Sequence, residues 1–126
     1  MTDRGEIGRR AMLAMAGLLG AIGVMAAAAA SHGGDARNLG AIAAIALAHG
    51  PALLALALAG RGRMLGIATV LLAVGTAVFI GDLGLREWLG RGLFPGAAPL
   101  GGVTMIGGWL AIVAAALVWR PAPRET

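Results

Sequence analysis

LGAIAAIALAHGPALLALALAG, residues 39–60, is the stretch whose reading decides the fold. It carries no formal charge, and His49 is its one strongly polar side chain. At ~1.5 Å rise per residue a helix of this length covers the ~30 Å hydrocarbon core of a bilayer. A helix on the surface of a soluble domain keeps a polar face, and this one is apolar all round. It reads as a membrane span.

The chain on either side is built to the same measure. Residues 31–38, SHGGDARN, form a turn in which Gly33-Gly34 interrupts a helix and Asn38 is the expected N-cap of the next. Before the turn, residues 11–30 carry no charge and end in a run of alanines. The basic start with Arg4, Arg9 and Arg10 and the alanine-rich end also resemble a secretory signal, with a faint twin-arginine look. An apolar body longer than the usual ~7–15 residues favours a span instead. After residue 60, Arg61-Gly62-Arg63 makes a tight basic turn, and residues 64–85 form a third span with Asp82 near its end. Residues 86–99 read as an interfacial loop, with one amphipathic turn around Trp88. Residues 100–119 are the fourth span. Pro51, in the middle of the second span, cannot donate an amide to the carbonyl of Leu47, which predicts a kink.

Composition sets the class. Hydrophobic residues make up 59% of the 126 and charged residues 13%, about half the charge of a soluble domain. A chain this short cannot hide that much apolar surface without lipid as part of its solvent. The ten basic residues are all arginines set near helix ends, with no basic face and no interleaved aromatics, which argues against nucleic acid as a partner. Cysteine is absent, which excludes disulfides, thiolate metal sites and a cysteine nucleophile.

Four spans place both termini on one side. That side collects Arg4, Arg9, Arg10, Arg61, Arg63, Arg120 and Arg124, against Arg37, Arg86 and Arg91 on the other. The positive-inside rule then assigns both termini to the cytoplasm. The expected fold is an all-α, integral-membrane, four-helix antiparallel bundle in a bacterial-type inner membrane.

Several pieces in order resemble a known group. Gly20-Ala21 through Ser31-His32-Gly33 is similar to a glycine- and alanine-rich first helix ending in Ala-His-Gly. His49 matches a second histidine, and Phe79-Ile80-Gly81 through Leu83 resembles a Phe-Ser-Gly-Ser-Leu-Tyr segment. Pro99-Leu100-Gly101-Gly102 and Gly107-Gly108-Trp109-Leu110 resemble Pro-x-Gly-Gly and Gly-Trp elements. Together they resemble domain-of-unknown-function family 423, small four-helix bacterial inner-membrane proteins related to transmembrane protein 256. Asp82 and Gly84 depart from that pattern, standing where the family tends to have serine and tyrosine. The resemblance implies fold and location and no reaction, since the family's activity is unassigned.

The candidate functional residues are His49, His32, Asp82, Arg86 and Trp109. An ionisable group inside a span is costly and marks a functional candidate. His49 lies about 16 Å below the outer end of its helix by helical rise. Either it is a neutral imidazole bonded to a neighbouring helix or to carbonyls freed by Pro51, or it relays protons or touches a ligand. Trp109 lies at about the same depth, placed to donate its indole N–H to His49 or simply to fill the core. Asp82 falls near the outer interface, where His32 or Arg86 could pair with it; Arg86 is four residues on, on the same face.

His32 and His49 differ too much in depth to clamp one haem iron, which leaves only a haem shared with a partner subunit. No residues have zinc-ligand spacing, and no cofactor, metal or catalytic residue is assigned. Thr69, Thr76 and Thr104 are expected to bond back to helix carbonyls. The leading functional expectation is a non-enzymatic membrane protein, an accessory subunit or a homo-oligomer. The alternative is a small transporter or channel component using His49, with Asp82 and His32 at the outer mouth.

Overall fold

In a computed structural model, which describes residues 4–123, the chain forms four α-helices: α1 (Arg4–Ala30), α2 (Arg37–Ala59), α3 (Arg63–Leu89) and α4 (Ala97–Leu117). All four are long and apolar enough to cross a membrane. All four helices begin before the expected spans, while α2 and α4 end one and two residues short of them. α1 takes in the arginines of the head, and α3 continues through Arg86 and Trp88 to Leu89. The segment expected as an interfacial loop is therefore helical at both ends, leaving residues 90–96 between α3 and α4. Each end has a local cause. Gly90, at φ 69°, adopts the left-handed conformation that stops α3, and its amide donates to the Arg86 carbonyl. Gly96, at φ 84°, precedes α4, and Pro99 sits in the first turn, where no amide is required.

α2 runs unbroken through Pro51. Its start differs from expectation. The N-cap position is Ala36, Asp35 accepts the amide of Arg37 at 3.3 Å, and Asn38 lies inside the first turn. The freed Asn38 amide side chain donates to Glu87 of α3 at 3.3 Å.

α1 packs on α2, α2 on α3 and α3 on α4, whereas α1 and α4 share no comparable interface. In lipid no water is expelled when helices meet, so association depends on close packing, and small residues permit it. The α3–α4 contact is the tightest. A Cβ added at Gly75 would stand 2.8 Å from the Gly101 carbonyl oxygen, and one added at Gly101 would stand 2.8 Å from that of Gly75. The two backbones therefore touch. Toward the C-terminal end of α4 from this point, Met105 lies against Gly75 and Leu72 against Gly108, while Phe79 meets Gly101 on the other side. On the other pair, Leu47 fills the space at Gly23, and Gly50 abuts the Ala16 carbonyl. The shared core gathers Ala16, Leu19, Ala46, Leu53, Leu72, Ala73 and Met105.

Replacing Gly101 by leucine forces the α3 and α4 backbones apart and is expected to cost about 1–3 kcal/mol. Gly102→Ala, whose new methyl meets open space, is expected to leave stability unchanged. Thermal unfolding of both variants in one mild detergent is the check, and equal midpoints would contradict the backbone contact.

Candidate functional site

Four of the five candidate residues fall into two separate groups. The first joins α2 and α4. His49 is 5% exposed, its Nδ1 is 2.9 Å from the Ile45 carbonyl oxygen, and the Trp109 indole donates to its Nε2 at 3.1 Å. The chemistry of the partners fixes the tautomer. A carbonyl can only accept, so Nδ1 carries the proton, and an indole N–H can only donate, so Nε2 carries a lone pair. Both ring nitrogens are thereby satisfied in a neutral imidazole. The rings meet edge to face, with centroids 5.7 Å apart and planes inclined at 68°. Of the two roles left open for Trp109, the structure selects donation. The backbone partner of His49 is the Ile45 carbonyl, one turn back, and differs from the Leu47 carbonyl that Pro51 leaves without its usual donor.

The second group lies at the far end of α3. Asp82 has no exposed surface. Its Oδ2 accepts the Arg86 Nε at 2.8 Å, and its Oδ1 accepts the backbone amide of Leu93 at 2.8 Å. A Cβ on Gly92 would collide with the same carboxylate, so glycine is what lets the connection between α3 and α4 close over it. Of the two partners foreseen for Asp82, the structure selects Arg86, whose side chain stays 45% exposed. His32 is exposed beyond α1, and only its backbone amide is bonded, to Ala29. His32, His49 and Asp82 do not form one constellation.

Thr69 and Thr104 bond back to the carbonyls of Leu65 and Leu100, as expected. Thr76 does not. It is fully buried and donates to the Met105 sulfur at 3.4 Å, across the α3–α4 interface. The Met105 partner of Thr76, the Asn38–Glu87 link and the Leu93 amide are the contacts that the sequence does not signal by itself. The threonine at the same register as Met105 was the one available signal, and it needed the helix pairing to be seen. Among the described residues every buried side-chain nitrogen and oxygen has a hydrogen-bond partner. No three histidine, aspartate or glutamate side chains gather among them as a metal-binding group would.

No family model, curated protein or solved structure matches the chain.

The bonds of the first group link α2 to α4, and those of the second link α3 to the connection that follows it. Trp109→Phe keeps the ring and strands the buried Nε2 of His49 without a donor, at an expected cost of about 1–3 kcal/mol. Imidazole ¹⁵N NMR of the wild-type protein should show a neutral ring protonated at Nδ1. A ring protonated at Nε2 would contradict the Trp109 bond. For the second group, Asp82→Ala removes the acceptor of both Arg86 and Leu93, and limited proteolysis is expected to cut the 90–96 connection faster than in wild type. Unchanged cutting would show that the carboxylate does not hold that connection.

Proposed function

We propose that the chain is a small multi-pass protein of a bacterial-type inner membrane, an antiparallel four-span bundle with both termini cytoplasmic. It catalyses no reaction and works by packing on helices of a partner subunit or of further copies of itself. The carrying observation is the open seam: α1 meets α2 and α4 meets α3, but α1 and α4 make no comparable interface. A self-contained ring of four helices would close there. The α1–α2 pair also presents an apolar groove of about 240 Å³, lined by Leu13, Gly17, Gly20, Gly50, Pro51 and Leu54. A Cβ added at Gly17 or Gly20 would meet nothing within 4 Å. Small residues facing lipid let another helix come close.

The antiparallel order is supported by the register of the contacts, Gly23 with Leu47 against Gly50 with Ala16, and Gly108 with Leu72 against Gly101 with Gly75. The orientation rests on the arginine distribution, within which Arg124 lies outside the described residues. The likeness to domain-of-unknown-function family 423 belongs to this proposal and rests on the order and spacing of the residues given above. The transport alternative asks His49 and Asp82 to be open to a passing ion. Both are engaged within the chain and His32 bonds neither, so packing is the better-supported reading.

In mild detergent the native mass is expected to exceed that of one chain, through self-association or a co-purifying subunit. The double variant Gly17→Leu/Gly20→Leu should fall to the mass of a single chain with its helicity retained. A wild-type protein that runs as a bare monomer with no companion would remove the proposal.

A further inference from the structure

A cleft of about 310 Å³ opens where the α2–α3 turn meets the C-terminal end of α4. Its lining divides in two. Arg61, Arg63 and Arg120 supply guanidinium groups, while Met64, Leu65, Ala115 and Val118 supply an apolar wall, with Trp119 beside them. The arginines come from segments far apart in sequence, so the fold brings them together. Among the described residues no carboxylate lines the cleft, and none of the three arginines makes an ion pair. Arg86, by contrast, is bound to Asp82. α3 also begins in the cleft, and its N-cap, Gly62, offers no side chain to the first-turn amides. Those amides are further donors, while the carbonyl ends of α2 and α4 at the same level offset the dipole of α3, so the arginines carry the positive field.

We infer that this cleft is a headgroup site for an anionic phospholipid of the leaflet on the Arg61–Arg63 side. Charge complementarity selects the phosphate, because guanidinium groups offer paired donors to phosphate oxygens. The apolar wall selects a lipid over a free anion, since it lies where an acyl chain would descend from a phosphate held by the arginines. Indole rings settle at the level of lipid headgroups, and Trp119 is 69% exposed there. Basic clefts between spans on the cytoplasmic side are the usual setting for such headgroups. The site depends on the helices lying in a bilayer and is independent of the association proposed above.

The test is native mass spectrometry of the full chain released from nanodiscs containing phosphatidylglycerol and phosphatidylcholine in equal amounts. Wild type is expected to retain phosphatidylglycerol in preference to phosphatidylcholine. Each arginine removed should weaken retention about fivefold, in line with ~1 kcal/mol per cation at a membrane surface. Arg61→Gln/Arg63→Gln/Arg120→Gln should abolish the preference, while Arg37→Gln/Arg91→Gln, away from the cleft, should keep it. All three side chains of the cleft are exposed, so the triple variant should keep wild-type helicity by circular dichroism. The wild-type preference is measured without any substitution and tests the site even if a variant misfolds. Equal retention of the two lipids by wild type, or an unchanged preference in the triple variant, would overturn the site. So would displacement of the bound lipid by inorganic phosphate as readily as by phosphatidylglycerol. Because the chain must first enter the nanodisc, failure of the lipid site is distinguishable from failure of the membrane reading, and native mass reports association separately.

Discussion

The rest of this structure depends on the contact between the backbones of Gly75 and Gly101. Inside a bilayer, apolar side chains gain little by leaving lipid for one another, so two helices hold together through dispersion and shape. A side chain at either position would meet the other helix's carbonyl oxygen at 2.8 Å. With both positions bare, α3 and α4 settle close enough for Met105 and Leu72 to lie against the neighbouring glycines. That contact sets the register of α4. The register in turn puts Trp109 within reach of His49 on α2 and brings Leu93 over Asp82.

Polar groups in such an environment are expensive unless they are bonded. Among the described residues His49, Thr76 and Asp82 are the buried polar side chains, and each is answered from another part of the fold. Trp109 reaches His49 from α4, Met105 takes the Thr76 hydroxyl from the same helix, and the Leu93 amide meets Asp82 from the connection between helices. Their common effect is positional. Each bond ties together segments whose apolar surfaces alone would tolerate sliding, because an apolar face packs nearly as well one residue along while a hydrogen bond does not. Residues that look like reactive candidates in an apolar sequence are thus each bonded across segments of the fold. Among the described residues, Arg61, Arg63 and Arg120 make no ion pair and line one cleft, where the α2–α3 turn meets the end of α4.

Local regularities were legible and pairings between helices were not. The four apolar runs stand out because a span needs about twenty uncharged residues, whatever it packs against. The Asp82–Arg86 pair follows from the four-residue helical repeat, and depth counting put Trp109 level with His49. The same counting could not tell a Trp109–His49 bond from simple core filling, since depth says nothing about rotation around the helix axis. Asn38 suits a cap position, yet the cap falls two residues earlier, at Ala36, and the Asn38 side chain serves Glu87. Thr76 looked like Thr69 and Thr104, and only the position of Met105 sets it apart. The helical extent of residues 86–89 was hidden because their charges suggested loop, although a helix can continue past the apolar layer.

By itself the sequence determined that the chain forms four helices of membrane-spanning length and the order of the turns between them, though not the ends of the third, which narrows from 86–99 to 90–96. Those outcomes depend on the hydropathy of consecutive residues and on glycine and proline, which act within a few positions. The tertiary structure alone decided that α1 and α4 stay apart, that His49 is a bonded neutral imidazole and that the Asp82 carboxylate closes the α3–α4 connection. It also decided that Arg61, Arg63 and Arg120 share one cleft. Each of these depends on the rotation and offset of one helix against another, and in lipid those are fixed by the fit of small residues and hydrogen bonds across the interface.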